Sequence, residues 1–153
     1  MPGIAIVTEP DLDELLPLMR GYCDFYAVSP SDDDLLAMSR ALIADPEREG
    51  VQLLARDEAD RAVGFATIFW SWSTSSAGRL AIMNDLFVHP DARGTGLADD
   101  LIMRCAALCR ARGDIVELAW QTALDNDRAR AVYERVGAAQ SRWLDYSLDT
   151  RRQ

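Results

Sequence analysis

A glycine-bearing turn between an apolar run and a long helical pattern is the part of this sequence most suited to chemistry. The run from Leu86 to Ala98 reads LFVHPDARGTGLA, and Gly94 and Gly96 stand just before the helical pattern. The first turn of a helix leaves backbone N–H groups unpaired and carries a partial positive charge, so it can bind phosphate without a cationic side chain. Because glycine lets the main chain approach an anion closely, the run predicts a cradle for a diphosphate.

Two other phosphate-binding motifs fit this run less well. A dinucleotide-binding Gly-x-Gly-x-x-Gly motif would need a glycine at Asp99, and a P-loop would need a lysine, which the sequence does not contain. The plainest alternative is an ordinary turn with a helix cap. A coenzyme with a diphosphate, such as coenzyme A, remains the better hypothesis.

A second helical segment, residues 125–138, carries a tyrosine that could donate a proton. Asn126 is suited to cap a helix start, and Gly137 is a natural stop. Apolar residues and Tyr133 recur between them at helical spacing. Taken alone, the segment also fits a capped amphipathic helix in which Tyr133 is a core residue.

Together the two segments resemble the coenzyme-binding signature of the GNAT (GCN5-related) N-acetyltransferases. Arg93-x-x-Gly96-x-Ala98 is similar to the family's pyrophosphate motif, and residues 126–137 are similar to its Asn-x-x-Ala-x-x-x-Tyr-x-x-x-Gly helix. The resemblance covers residues 80–148 and implies an enzyme that transfers acetyl from acetyl-CoA directly to an amine. It implies that these residues contact the coenzyme: Leu86, Phe87, Val88, Arg93, Gly94, Thr95, Gly96, Leu97, Ala98, Asp99, Asn126, Ala129 and Tyr133.

The resemblance also suggests a catalytic acid and a catalytic base. Tyr133 falls where the family has a proton-donating tyrosine, and a phenol with a pKa of about 10 is protonated at neutral pH. Residues 83–88 resemble the Leu-Glu-Asp-Leu-Phe/Tyr-Val segment of the spermidine/diamine and thialysine branch, but Asn84 replaces the glutamate. Adjacent strand residues point to opposite faces, so Asp85 cannot take over that position unchanged. Asp85 is still the leading carboxylate, acting through water or ordering the site, with capping of a bulge as its structural alternative.

The same branch, together with a histone/polyamine-acetylating group, implies a small cationic acceptor such as a polyamine or an amino-acid-like amine. We expect Asn84, Asp85, Tyr22, Tyr26 and Trp120 to bind this acceptor. Trp70 and Trp72 could also contact it, while Trp120 and Gln121 could line the cleft between the strands. A protein or peptide amine is the alternative acceptor. The asparagine at position 84 also leaves open a noncatalytic domain that only binds the coenzyme.

Composition and charge set the broader limits. The 153 residues are 49% hydrophobic, which suits a single domain over residues 1–153, and no apolar run is long enough to span a membrane. Residues 1–76 carry 14 acidic and 5 basic side chains, whereas residues 77–153 carry 11 of each. The neutral half suits a polyanionic coenzyme and the acidic half attracts a cationic acceptor, while nucleic acid is a poor partner. We expect a cytoplasmic protein.

The cysteines predict no metal site. Cys23, Cys105 and Cys109 are odd in number, and the chain has one histidine, His89. A zinc site takes four ligands, so we expect buried free thiols instead.

Periodicity predicts a mixed α/β sheet that is antiparallel in its first part and ends in a right-handed parallel crossover. Strands are expected at residues 4–7, 51–56, 62–71, 80–88, 115–121 and 141–148. Helices are expected at 11–27, broken or kinked at Pro17, and at 31–44, 95–112 and 126–136. This is the order of a GNAT-like fold, in which the resemblance implies a splayed parallel strand pair around the coenzyme. Family members commonly form dimers, which the apolar C-terminal strand could support.

Overall fold

The computed structural model describes residues 3–151 and contains a five-stranded mixed sheet. Its strands, in spatial order, are β1 (Gly3–Ile6), β2 (Gly50–Arg56), β3 (Ala62–Ser73), β4 (Gly78–Val88) and β5 (Ile115–Ala119). The first four strands pair antiparallel, and β4 pairs parallel with β5. The predicted mixed sheet with one parallel crossover is therefore confirmed.

Helices cover both faces of this sheet and enclose two apolar clusters. The helices are α1 (Leu12–Phe25), α2 (Asp32–Ala44), α3 (Leu97–Arg112) and α4 (Asp127–Arg135). One cluster joins α1 and α2 to side chains such as Leu54 and Phe65, and the other joins α3 to the opposite face through Ala66 and Ile68. The buried free cysteines belong to these clusters, as predicted: Cys23, Cys105 and Cys109.

Two helix predictions need correction. The first helix runs through Pro17 from Leu12 to Phe25, so the predicted break there is wrong. Proline removes one backbone hydrogen bond, but burial of Leu15, Leu18 and Met19 on the same helix offsets that loss. The third helix begins at Leu97 rather than at Thr95, because Gly96 adopts a left-handed conformation with φ of +83° that cannot belong to the helix.

The predicted last strand over residues 141–148 is wrong. Residues 138–150 contain no helix or strand in the structure. The alternation of the sequence suits a strand, but a strand also needs a partner for its N–H and C=O groups. This segment has none within the part of the chain that is described.

Two further findings bear on function. Within residues 3–151, no helix is long and apolar enough to cross a membrane. The same residues contain no group of three or more His, Cys, Asp or Glu side chains placed to hold a metal ion.

Candidate active site

The two parallel strands separate toward the carboxyl end of β4. Their pairing begins at Arg79 opposite Ile115 and ends at Ile82 opposite Ala119. The rest of β4, residues 83–88, continues against β3 alone. One edge of this stretch therefore faces a gap, where backbone groups are open to hydrogen bonding with a ligand. Leu86, Phe87 and Val88, predicted to contact the coenzyme, lie along that gap.

A cleft of about 490 Å³ opens at the start of α3. Its lining contains Val88, Ala92, Arg93, Gly94, Gly96, Leu97, Ala98, Asp99, Arg128, Ala131, Val132 and Arg135. Gly94 and Gly96 have φ of +78° and +83°, and no side chain caps the first turn of α3. The N–H groups of that turn are thus left for an anion, which fits the diphosphate of coenzyme A.

The charges around this cleft also suit an anion. Asp99 is the acidic residue of the lining, and Arg135 binds its carboxylate with two hydrogen bonds of 2.6 and 2.7 Å. This contact lowers the pKa of Asp99, so the carboxylate stays ionised, and the Arg135 guanidinium balances its negative charge. Arg93 and Arg128 add positive charge to the lining, and Arg93 also donates to the backbone oxygen of Val88 at 3.1 Å.

The turn itself is held by short local contacts. The Thr95 hydroxyl donates to the backbone oxygen of Ala92 at 2.7 Å. A Cβ added at Gly94 or Gly96 would contact nothing within 4 Å. The positive φ, rather than crowding, is therefore what makes glycine suitable at these two positions.

Tyr133 lies on the inner side of α4, across the gap from β4. Asn126 begins this helix, since its side-chain oxygen accepts a hydrogen bond from the Ala129 N–H at 3.2 Å. The ring of Tyr133 packs edge-on against Trp120, with centroids 5.3 Å apart. Burial raises the pKa of Tyr133, and a hydrogen bond with Thr122 partly offsets this. The phenol therefore keeps its proton at neutral pH.

Asn84 is an inserted residue in β4. Thr67 lies opposite Asp85 and the next residue, Ile68, lies opposite Met83, so the register skips Asn84. This β-bulge changes the direction of the side chains next to Asn84. Asn84 is exposed whereas Asp85 is only 6% exposed, and the Asn84 amide donates to Asp85 at 2.9 Å.

Asp85 ends a row of buried polar side chains that crosses three strands. Gln52 on β2 lies opposite Thr67 on β3, and Thr67 lies opposite Asp85 on β4. The Gln52 amide donates to the Thr67 hydroxyl at 3.1 Å, which leaves that hydroxyl free to donate to Asp85. Burial raises the pKa of Asp85, and hydrogen bonds from Thr67, Tyr22 and Asn84 partly offset the rise.

Tyr22 of α1 covers Asp85, and Tyr26, which directly follows α1, packs on Tyr22. The Tyr22 hydroxyl donates to the backbone oxygen of Asn84 at 3.2 Å and also hydrogen-bonds Asp85. Tyr26 packs on Tyr22 with ring centroids 4.9 Å apart, and it lies near enough to Tyr133 to add slightly to the effect of burial on its pKa. The structure thus brings Tyr22, Tyr26 and Asp85 to the same gap as Tyr133.

Trp70 and Trp72 lie elsewhere. Their rings contact arginines of the same chain, Trp70 with Arg112 at 4.6 Å and Trp72 with Arg79 at 4.7 Å. Both pair with β4 residues before the gap begins. The expectation that these two tryptophans contact an acceptor is therefore not supported by their positions. Gln121, expected to line the cleft, donates to Asp145 at 2.9 Å.

Sequence reasoning missed Gln52, Thr67 and Thr122. A polar residue at an inward position of an apolar strand was the available signal, since Thr67 stands in GFATIFW and Gln52 in VQLLA. What Gln52 and Thr67 contact depends on the register between strands, because that register brings together residues that are distant in sequence.

A splayed parallel strand pair, an uncapped helix start at a cleft and a tyrosine across the gap together define a domain that binds coenzyme A and transfers acyl groups. The sequence profile described as "Acetyltransferase (GNAT) family" matches residues 13–138. The chain belongs to this family. It is therefore an N-acetyltransferase that depends on acetyl-CoA.

Relatives of known name fit this assignment and differ in acceptor. The chain is 31% identical to an uncharacterized N-acetyltransferase, YhfO, of Bacillus subtilis (strain 168), over 83% of each chain. It is 25% identical to a thialysine N-epsilon-acetyltransferase of Caenorhabditis elegans, over 95% of this chain and 91% of that protein. It shares its fold with the aminoglycoside N-acetyltransferase AAC(6')-Iy in complex with CoA, with a TM-score of 0.84, 18% identity and coverage of 99% and 96%.

Proposed function

We propose that the acceptor is a small cationic amine, either a polyamine or an amino-acid-like amine. The observation that carries this proposal is the buried carboxyl of Asp85, covered by Tyr22 at the edge of the gap. A carboxyl and two tyrosine rings suit an alkylammonium, through charge and through cation–π contact. The thialysine relative, matched along nearly the whole chain, is named for an acceptor of this kind.

The distribution of charge supports the same proposal. The side of the gap formed by α1 belongs to residues 1–76, whose net charge is negative, while α3 and α4 belong to the neutral half. A cation is drawn to the first side and a polyanion meets little repulsion at the second. A cytoplasmic location and the lack of nucleic-acid and membrane partners stay predictions from the sequence.

Acetyl-CoA fits the elements around the cleft. The first-turn N–H groups of α3, at Leu97 and Ala98, would hold its diphosphate, and the open edge of β4 at residues 86–88 would hold its pantetheine arm. When bound, it supplies the acetyl group as an activated thioester. Asn126 and Ala129, at the start of α4, lie on the other side of that path.

Asp85 would serve as the base. A free alkylammonium has a pKa near 10.4, so forming its neutral amine at neutral pH costs about 4–5 kcal/mol. Burial gives Asp85 a raised pKa, which makes it a better proton acceptor than an ordinary carboxylate. Because Asp85 is only 6% exposed, the proton would reach it through the Tyr22 hydroxyl or a water molecule.

Tyr133 would serve as the acid. Its raised pKa keeps a proton on the phenol oxygen, and its position across the gap from β4 suits delivery of that proton to a leaving thiolate. Contact with the Trp120 ring fixes the orientation of the phenol. In this proposal Asp85 accepts a proton on the β4 side of the gap, and Tyr133 donates a proton on the other side.

The test is release of free CoA thiol from acetyl-CoA in the presence of separate acceptors. The panel contains diamines, polyamines, lysine-like amino acids, an aminoglycoside and peptides with free amines. We expect the highest kcat/KM with a diamine, polyamine or lysine-like amino acid. Peptides that outperform all of these would contradict the proposed acceptor class. Acetyl-CoA binding by calorimetry with no thiol release on any amine would instead indicate a noncatalytic coenzyme-binding domain.

A further inference from the structure

The Gln52 side chain is a buried amide whose two ends have different surroundings. Its nitrogen Nε2 donates to the Thr67 hydroxyl at 3.1 Å and to the Met19 sulfur at 3.7 Å. Its oxygen Oε1 is buried and has no hydrogen-bond partner among the described residues. These three residues are at most 2% exposed, so protein groups decide which way the amide faces.

The Met19 sulfur explains this orientation. A thioether sulfur accepts hydrogen bonds and has no proton to donate. It also accepts from the Ser39 hydroxyl of α2 at 3.6 Å, and Ser39 is fully buried. Turning the Gln52 amide over would place Oε1 against this sulfur, where it finds no donor, and would leave Nε2 at the unpartnered position. The sulfur therefore selects the orientation in which Nε2 faces Thr67.

The orientation of the Gln52 amide decides where the Thr67 proton points. A hydroxyl has one proton, and the Thr67 oxygen accepts from Gln52, so that proton is free to point to Asp85, which lies opposite in register. With the amide turned over, Oε1 of Gln52 would compete with Asp85 for the same proton. Asp85 would then lose one of the donors that stabilise its ionised form.

We propose that Met19 and Gln52 are positioning residues that direct the Thr67 proton toward the Asp85 carboxylate. The effect passes from α1 through β2 and β3 to β4. Its consequence for catalysis rests on the proposed function, in which Asp85 is the base. Its effect on the Asp85 carboxyl does not depend on that function and can be measured separately.

The other groups around Asp85 leave this effect measurable. Tyr22 and Cys23 of α1 are titratable side chains that face it, and burial raises the pKa of both. Both are therefore neutral near pH 7 and below, where a carboxyl titrates. The Asn84 amide donates to Asp85 from β4 and does not titrate.

The test measures the Asp85 pKa by carboxyl ¹³C NMR on the full chain. Met19→Leu keeps an apolar side chain of similar volume but removes the sulfur acceptor. If the Thr67 proton then divides equally between Gln52 and Asp85, the Asp85 pKa should rise by about 0.3, the logarithm of two. Met38→Leu makes the same exchange in the same apolar cluster but outside the row, and it should leave the Asp85 pKa unchanged.

A double variant separates this effect from packing. Without the Thr67 hydroxyl there is no proton to direct, so adding Met19→Leu to Thr67→Val should cause no further rise in the Asp85 pKa. An equal rise in both backgrounds would overturn the proposal, because a packing change acts whether or not the hydroxyl is present. A Met19→Leu single variant with an unchanged Asp85 pKa would overturn it as well.

Nuclear Overhauser contacts in the wild type test the amide orientation without any substitution. The Nε2 protons of Gln52 should show contacts to the Met19 methyl group, and a lack of these contacts would overturn the proposed orientation.

The pH profile of kcat/KM is a separate readout that tests the base. In Met19→Leu its acidic limb should move to higher pH by the same amount as the Asp85 pKa. A raised Asp85 pKa with an unmoved limb would support the positioning role of Met19 and contradict the role of Asp85 as the base. Failure of the inference and failure of the proposed function are thus distinguishable.

Discussion

Thr67 on β3 lies directly opposite Asp85 on β4, and the register of the two strands changes by one residue immediately beyond this pair. Gln52 extends the alignment onto β2 and donates to the Thr67 hydroxyl. Polar side chains in a sheet interior lower stability unless they are paired, and the side-chain oxygen of Gln52 has no hydrogen-bond partner here. The row of Gln52, Thr67 and Asp85 therefore lowers the stability of the fold, but it places a buried carboxyl of raised pKa beside the gap.

The first prediction concerns stability. A carboxyl whose pKa is higher in the folded than in the unfolded protein gives most stability at low pH, and that stability is lost as pH rises through the folded pKa. Asp85→Asn removes this loss, so its unfolding temperature should gain on that of the wild type as the pH rises above the unfolded carboxyl pKa of about 3.9. Thermal unfolding at several pH values measures the difference.

Asp33→Asn, an exposed carboxyl in the first turn of α2, is the control for that experiment. Its difference from the wild type should vary little over the same range. An Asp85→Asn protein that is less stable than the wild type by the same amount at every pH would contradict the assignment of a buried, raised-pKa carboxyl.

The second prediction tests Thr67 as a positioning residue. Its hydroxyl lowers the pKa of Asp85, so Thr67→Val should move the acidic limb of the pH profile of kcat/KM to higher pH. Thr67→Ser keeps a hydroxyl and should restore the wild-type profile. If the valine and serine variants lose rate equally without any displacement of the limb, Thr67 contributes packing alone.

The third prediction concerns the acid. Tyr133→Phe should lower kcat by roughly 100-fold or more, because general acid catalysis typically contributes that much. The affinity for acetyl-CoA should change little, since the ring contact with Trp120 remains. Tyr146→Phe, which removes a hydroxyl from a 90% exposed ring, is the matched control. Normal turnover by Tyr133→Phe would remove Tyr133 from catalysis.

The fourth prediction concerns the diphosphate cradle. Gly96→Glu places a negative side chain at the start of α3 and should abolish acetyl-CoA binding in calorimetry. Gly113→Glu is a close control, because Gly113 ends the same helix with φ of +82° and equally open surroundings. Both substitutions strain the backbone similarly, so comparable losses of affinity would mean that the cradle lies elsewhere.

Local patterns were enough to predict the elements that frame the site. The apolar run to Val88, the glycines after it and the Asn126 cap each act over a few residues. The interactions that form these elements join residues that are close in sequence, so periodicity and capping rules predict them. The parallel crossover between β4 and β5 then follows from the order of strand, helix and strand.

Features that depend on register or on a partner could not be predicted in this way. The bulge at Asn84 exists only relative to β3, and the row from Gln52 to Asp85 joins three separate strands. Burial of Asp85 beneath Tyr22 depends on how α1 packs. The prediction of a strand at 141–148 was wrong for a related reason. Apolar and polar residues alternate there, but a strand also needs a neighbouring strand to pair with.

The most direct test of the account is the pH dependence of acetyl transfer by Asp85→Asn with a reactive diamine. If Asp85 removes the acceptor's proton, the variant should be roughly 100-fold or more slower than the wild type in kcat/KM near neutral pH. The deficit should shrink steadily as pH approaches the amine pKa of about 10, because the acceptor then arrives already neutral. A deficit that stays constant across the whole range would contradict the role of Asp85 as the base.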